Sequence, residues 1–435
     1  MTDRGQSPYD AAPPAGRRAG PGTRRRGANG GAQSGGGMSR FFVVLALWLV
    51  VCWGTVGALL APELENGWLT VLAVAAATTL PLPLLVWSRR SGHYPGRFFR
   101  LLVLRPFWYA QLLLPLLAAA GALGAALGFA FGRPALAGRA AMLAIFLAYV
   151  VLMAFGWAGS RQLVVKRLLA TWPDLPDGLE GMRIVQISDT HVGPHTSRRH
   201  LDRVAALVRA SNADLVAVTG DLVDDHALDV DAYAAALGGL DAPLGVFAVP
   251  GNHDVYAGWS EVRRRLEALP VTVLVNGAVI LRRNGAHFAV VGTGDPAGAS
   301  AWADGGGGGG SRAKSRGRKA SAAPDIPAAL ATVPSGMFVV ALAHNPALWP
   351  ELAKRGVALT LSGHTHWGQF ALPSLGWSLA SPFLEFAMGV HREGRSLLYI
   401  HPGTNFWGIP FRLGTPPEVA LITLQRGTSP TMRRG

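Results

Sequence analysis

Hydrophobic positions divide the chain into two zones with different periods. Four long apolar runs, near 41–62, 67–87, 107–131 and 139–159, carry no Asp, Glu, Lys or Arg at their centres. Each is close to the ~20 residues a helix needs to cross a bilayer. Beyond residue 180 the apolar runs shorten to strand length and alternate with amphipathic stretches. Residues 182–188, 214–219 and 245–250 read as buried strands. The stretches 199–211 and 259–268 read as helices, with Leu201, Val204, Leu207 and Val208 on one side of the first. Further strands are expected near 271–275, 279–283, 287–292, 337–342, 357–361, 396–400 and 418–424. Strand–helix alternation that becomes strand-rich predicts an α/β sandwich.

The polar segments complete this organisation. Residues 1–37 hold Gly, Pro, Ala and Arg but almost no large apolar side chains, so a disordered basic tail is expected to residue 40. Arg24-Arg25-Arg26 resembles a twin-arginine export signal, but Gly-Ala-Asn-Gly-Gly follows instead of an apolar run. The expected order is tail 1–40, a region of four transmembrane helices 41–160, linker 161–180, α/β domain 181–426 and a disordered end 427–435. Within that domain, 303–324 contains six consecutive Gly and a basic cluster and reads as a flexible insertion. In the third apolar run Ala120, Gly124, Gly128 and Gly132 stand four apart, a small-residue stripe suited to close helix packing.

Composition agrees with a lipid-facing portion. Half of the 435 residues are hydrophobic and only 15% are charged. The formal charge of +14 suggests nucleic acid until it is located. Residues 1–40, 89–105 and 312–319 each carry a net of +5, leaving about −1 for the rest. Basic residues in a tail, a loop and an insertion favour anionic lipid headgroups, and no nucleic-acid partner is expected. Arginines in the tail and in 89–105, with Arg161, Lys166 and Arg167 after the fourth run, place the domain on the cytoplasmic face of the cell membrane. No ionisable residue is expected to face inward from the runs, so a transport path is not expected. The single cysteine, Cys52, excludes an intrachain disulfide and leaves the chemistry to His and carboxylates.

Those groups cluster directly after strands. Ser188-Asp189-Thr190-His191 follows the first, Gly220-Asp221-Leu-Val-Asp224 the second and Gly251-Asn252-His253-Asp254 the third. His344-Asn345 and Gly363-His364-Thr365-His366 follow two later ones. Strand-end loops are where α/β proteins place function. Carboxylate with imidazole suits manganese, iron or zinc. In Asp189-x-His191 and His364-x-His366, residues two apart on extended chain point to the same side.

In order, SDTHVG, GDLVD, GNHD, AHNP and SGHTH resemble the motifs of the calcineurin-like metallophosphoesterase superfamily, closest to its bacterial membrane-linked branch, where PLGVFAVPGNHD and PGTNFWGIPFRLGTPPE are also familiar. The resemblance implies a four-layer α-β-β-α sandwich and two divalent ions about 3.5–4 Å apart. It implies one ion on Asp189, His191 and His366, a second on Asn252, His344 and His364, and Asp221 shared by both. It further implies that His253 protonates or stabilises the leaving oxygen, with Asp254 orienting it as a catalytic pair. Asp224 is expected to support its loop; His195, in the loop after the first motif, is a candidate substrate contact but reads first as an ordinary loop residue. Asn405, Trp407 and Arg412 are expected at the pocket border, and His226, His287, His391 and His401 as ordinary surface or packed histidines. Trp367 stands where the branch often has a second Gly, which affects pocket shape but not the ligands. The expected activity is hydrolysis of a phosphomonoester, phosphodiester or pyrophosphate on a small-molecule or lipid substrate. The alternative is a non-enzymatic membrane scaffold, against which the complete ligand set argues.

Overall fold

A computed structural model of the chain describes residues 35–81, 84, 96–193, 195–299 and 322–435. The expectations for tail residues 1–34 and for most of the insertion, 300–321, lie outside the described residues. The chain divides into two compact units, a helical one ending at Met153 and a catalytic one beginning at Ala154.

The helical unit contains α1 (Gly35–Leu60), α2 (Gly67–Thr79), α3 (Arg105–Gly128) and most of α4 (Pro134–Gly159). Among the described residues three helices, not the expected four, are long and apolar enough to cross a membrane: Val43–Glu63, Arg100–Phe131 and Pro134–Gly159. Residues 82–83 and 85–87 of the second run lie outside the described residues, and within the run the described helix α2 has 13 residues, about 20 Å at 1.5 Å per residue. That is short of a ~30 Å hydrocarbon core. The small-residue stripe exists but is rotated: Leu114, Ala118, Gly121, Gly124 and Gly128 are buried, whereas Ala120 and Gly132 are not. A Cβ on Gly124 would lie 2.7 Å from the Ala137 carbonyl oxygen, and one on Gly128 2.6 Å from the Ala137 Cβ. Glycine here lets the backbones of α3 and α4 meet.

The catalytic unit is built on two sheets. The first, in spatial order β15-β1-β14-β2-β3-β4-β5, joins Thr431–Arg434, Val164–Trp172, Glu418–Arg426, Arg183–Ile187, Leu215–Thr219, Val246–Val249 and Thr272–Val273. The second, β12-β13-β9-β8-β7-β6, joins Gly389–Glu393, Ser396–Ile400, Leu359–Ser362, Phe338–Leu342, Ala286–Gly292 and Gly277–Arg283. A hairpin, β10 (Ala371–Leu372) with β11 (Trp377–Ser378), lies between β9 and β12.

Core packing gives the layers. Leu168, Trp172, Ile184 and Phe247 of the first sheet pack on Phe288, Val340, Leu359 and Tyr399 of the second. The other face of the first sheet buries Val185 and Val218 against α5 (Arg198–Ala210), α6 (Val230–Leu237) and α8 (Trp259–Leu266), through Val204, Tyr233 and Val262. The short α7 (Asn252–Tyr256) lies between α6 and α8 in the chain. The second sheet buries Ala289 and Val339 against α9 (Ile326–Leu330) and α10 (Trp349–Lys354). This is the expected four-layer α-β-β-α sandwich. Each sheet buries both faces, which is why its parallel strands read as continuous apolar runs.

Two boundaries differ from expectation. Residues 161–180 are not a linker, because β1 pairs with β14 in parallel from Val164↔Glu418 to Trp172↔Arg426. Residues 427–435 are not a loose end, because β15 adds antiparallel to the other edge of β1, from Leu168↔Arg434 to Thr171↔Thr431. Both strands depend on partners distant in sequence, which local pattern does not reveal.

Candidate metal centre

Strands β2, β3 and β4 run parallel, as do β8 and β9, so their C-terminal ends share one rim. Asp189 and His191 follow β2, Asp221 follows β3, Asn252 follows β4, His344 follows β8, and His364 and His366 follow β9. The seven side chains expected as ligands converge at this rim. In one group, His191 Nε2 and His366 Nε2 face each other at 2.9 Å, with Asp189 Oδ1 3.3 Å from His366 Nε2. In the other, Asn252 Oδ1 lies 2.7 Å from His364 Nδ1 and 3.2 Å from His344 Nε2. Asp221 stands between them, its Oδ2 3.2 Å from His344 Nε2 and 3.6 Å from His191 Nε2.

These separations suit a divalent cation. Metal–ligand bonds of about 2.0–2.2 Å put neighbouring donors roughly 3–3.4 Å apart. Asp189–His191–His366 and Asp189–Asp221–His344 each bring carboxylate and imidazole donors together, with pairs at 2.9–3.3 Å close to that spacing. Uncompensated, so many buried polar groups in one place are costly.

The backbone is bent to aim these donors. Asp189, His191, Asp221, His364 and His366 all have positive φ, between 39° and 72°. For non-glycine residues such conformations cost about 1–3 kcal/mol each and gather at functional sites. Close approach needs glycine beside them: at Gly220 (φ 83°) a Cβ would lie 2.6 Å from His344 Nδ1, and at Gly363 one would lie 2.0 Å from Ser188 Oγ.

Hydrogen bonds orient the rings. His344 Nδ1 donates to the Thr219 carbonyl at 2.8 Å, leaving Nε2 free to bind. Asp189 accepts from Ser188 Oγ at 2.5 Å and from the His364 backbone N–H at 3.0 Å. Burial would raise the Asp221 carboxyl, but the His344 and His191 rings hold it well below the carboxylate range. Burial works against charging His344 too, yet Asp221 draws its pKa well above the ordinary value. Burial and the His344 charge push His364 down to about 4. A divalent cation held beside Asp221 would compete with a proton for His344.

The catalytic pair needs correction. Asp254 does not hold His253. Its carboxylate accepts from the Leu222, Val223 and Gly251 backbone N–H groups at 2.9, 3.1 and 2.9 Å, tying the β3 and β4 loops together. The reason is local: Asp254 sits in the first turn of α7 and its side chain turns back to the N-terminus. His253 Nδ1 instead donates to the Asp224 carbonyl at 2.6 Å, and its backbone N–H donates to Asp221 Oδ1 at 2.8 Å. Asp224 Oδ1 also approaches His191 Nδ1 at 3.3 Å, a loop-supporting place.

Arg412 has a role its sequence position did not reveal. Almost fully buried, its guanidinium donates to His366 Nδ1 at 2.9 Å and to the His366 carbonyl at 3.0 Å, and also to the Pro402 and Asn405 carbonyls. Burial lowers its pKa to about 9, which leaves it charged at neutral pH. Asn405 Nδ2 donates to the Thr190 carbonyl at 2.9 Å. Trp367 is buried, with Nε1 donating to the Ile400 carbonyl. His391 lies against Phe386 and Trp349, and His401 is fully buried. Over the donors opens a cleft of about 420 Å³, floored by Asp221, Asn252, His253, His364 and His366 and rimmed by Tyr256, Gln369 and Trp407.

Residues 182–368, which contain all seven donors, match the family described as calcineurin-like phosphoesterase. That stretch of the chain is a calcineurin-like phosphoesterase domain. Among its relatives, an uncharacterized metallophosphoesterase of Helicobacter pylori is 29% identical over 63% of this chain and 69% of its own length. A zebrafish (Danio rerio) transmembrane protein with metallophosphoesterase domain is 32% identical over 58% of this chain. That match takes in only 55% of the zebrafish protein. An uncharacterized metallophosphoesterase of Aquifex aeolicus is 29% identical over 63% of this chain and 97% of its own. The calcineurin-like phosphoesterase domain of this chain is thus shared with relatives, one of which is described as transmembrane.

Proposed function

We propose that this protein is a membrane-anchored phosphohydrolase that uses two divalent metal ions to cleave a phosphoester or pyrophosphate bond. The observation that carries the reading is the convergence of Asp189, Asn252 and four His donors around one further carboxylate, Asp221, at the floor of an open cleft. Asp189, His191 and His366 would hold one ion, Asn252, His344 and His364 the other, and Asp221 would touch both. Bound there, two ions lower the pKa of a shared water and neutralise phosphoryl oxygens. Manganese, iron and zinc all fit the donor chemistry.

The side chains supply the rest. Water adds to phosphorus, the bond from phosphorus to the leaving oxygen breaks, and that oxygen takes up a proton. His253 is placed to deliver it: its Nδ1 is fixed on the Asp224 carbonyl and its ring lines the cleft. Asp254 braces the loops that carry Asp221 and His253.

Cytoplasmic placement is part of the proposal. The five arginines of 89–105 lie on the same side as the domain whether three or four helices cross, and positive flanks stay inside. With three crossings the Arg-rich tail falls on the opposite side, so a periplasmic reporter enzyme fused at residue 435 tests the orientation: inactivity is expected, and activity would reverse it. For the chemistry, the full-length protein in detergent with manganese should hydrolyse bis(p-nitrophenyl) phosphate. No turnover with manganese, iron or zinc from a folded protein would refute the proposal.

A further inference from the structure

Between β9 and β12, residues 370–388 contain one charged side chain, Glu385, among Phe370, Leu372, Leu375, Trp377, Leu379, Phe383, Leu384, Phe386 and Met388. The larger apolar side chains are not all tucked in. Leu375 is 74% exposed and Phe383 80%, and Leu372, Leu379 and Leu384 are also exposed. Apolar surface gathered this way on a folded domain marks a contact site. Its place is fixed by backbone bonds. Leu379 N–H donates to the Phe370 carbonyl at 2.9 Å, and its side chain closes on Gly368, which lines the cleft. Trp407, half exposed on the rim, donates its N–H to Gln369 Oε1 at 2.9 Å. The apolar segment therefore borders the mouth of the cleft.

What covers it follows from a second set of contacts inside the catalytic unit, which includes Ala154–Gly159, the end of the apolar helix α4. Leu413 N–H donates to the Gln369 carbonyl and Ala371 N–H to the Leu413 carbonyl, at 3.0 and 2.9 Å. The neighbouring Arg412 N–H donates to the Gly156 carbonyl at 2.8 Å. Arg161 stacks over the Trp157 ring at 3.5 Å, a pairing of cation and aromatic suited to a headgroup layer. The end of a helix long and apolar enough to cross a membrane thus adjoins the loop that carries the exposed leucines and phenylalanine.

We propose that Leu375, Leu379, Phe383 and Leu384, with Trp407, rest in the bilayer surface beside α4, and that the cleft takes its phosphate ester from that surface. The substrate class is an amphipathic phosphate ester with an acyl or alkyl chain. This deepens the phosphohydrolase reading and rests on it for the substrate, but not for the docking. A patch of aromatic and branched side chains with Glu385 as its single charge and no basic residue matches insertion at the acyl boundary, not electrostatic adsorption to anionic headgroups.

The test uses the full-length chain in phosphatidylcholine nanodiscs, with Cys52→Ser and an environment-sensitive fluorophore on Phe383→Cys or, as control, on Ile280→Cys of edge strand β6. The label at 383 should emit to the blue of that at 280 and be quenched by doxyl-labelled lipid. Equal, water-like emission at both sites overturns the docking, as does a blue shift without lipid quenching, which would mean a protein contact. In the same discs Leu375→Ser/Phe383→Ser should lower turnover of hexadecyl p-nitrophenyl phosphate at least about tenfold, and leave bis(p-nitrophenyl) phosphate within about twofold. Equal effects on both esters, or none, overturn the substrate class. If neither ester is hydrolysed by the unsubstituted protein, the phosphohydrolase reading falls while the fluorescence still decides the docking.

Discussion

The two halves of the donor cluster are held differently. Asp189, His191 and His366 are buried, all three have positive φ, and their rings are backed by Asp224 on one side and Arg412 on the other. On the other side, His344 is equally buried, but Asn252 and His364 are only half-buried and line the cleft. Only His364 of these three has a positive φ. Asn252 opens α7 in ordinary helical conformation, and its amide oxygen meets the two histidines at 2.7 and 3.2 Å. The deep half is preorganised at a cost in backbone strain; the outer half is closer to substrate and less tightly framed. Pre-set donors lose less freedom on binding a cation, so the deep half should fill first and release last.

Several substitutions would break or sharpen that contrast. Asp221→Asn strikes both halves, because one carboxylate serves both. We expect kcat/KM to fall by roughly a thousandfold or more, about 4 kcal/mol in transition-state stabilisation, with loss of bound metal. His253→Gln removes no donor from either half, although the ring lies edge-on to His191. Turnover should drop about a hundredfold or more, within the span of general acid catalysis, while metal content by elemental analysis stays unchanged. Arg412→Lys strikes the deep half alone, since lysine cannot reach His366 Nδ1 and three carbonyls together. Competition with a metal chelator should show one of two binding steps weakened about 10–100-fold, the usual effect of losing a ligand's backing partner. If both steps weaken equally, the halves are not independently framed. The smallest effect is expected from Asp254→Asn, in which an amide N–H must face one of the backbone N–H groups the carboxylate now accepts. Stability should fall by about 1–3 kcal/mol in denaturant unfolding, with a smaller loss of turnover than His253→Gln.

What was legible in the sequence follows the same division between local and remote. The seven donors could be read because each follows an apolar strand by one to five residues, and strand ends in a parallel sheet share a rim. The layers could be read because fully buried strands are continuous apolar runs. Features set by distant partners were not legible. The strand at 164–172 exists only because 418–426 and 431–434 flank it, so a fragment starting at residue 170 would cut through β1. Arg412 looked like a border residue because nothing in PFRLG shows that the side chain turns inward to His366. The resemblance pairs Asp254 with His253, but neighbours at a helix start point apart, and the Asp254 carboxylate accepts from three backbone N–H groups instead. The second apolar run was counted as a crossing from composition alone, whereas its described helix stops at Thr79.

The central claim is that Asp221 joins two cation sites in one centre. Elemental analysis of the full-length protein, purified with manganese and then dialysed, measures that directly when run beside Asp221→Asn. The account predicts two ions per chain for the unsubstituted protein, and fewer than one for the variant. A single ion in the unsubstituted protein, or two ions retained by Asp221→Asn, would contradict it.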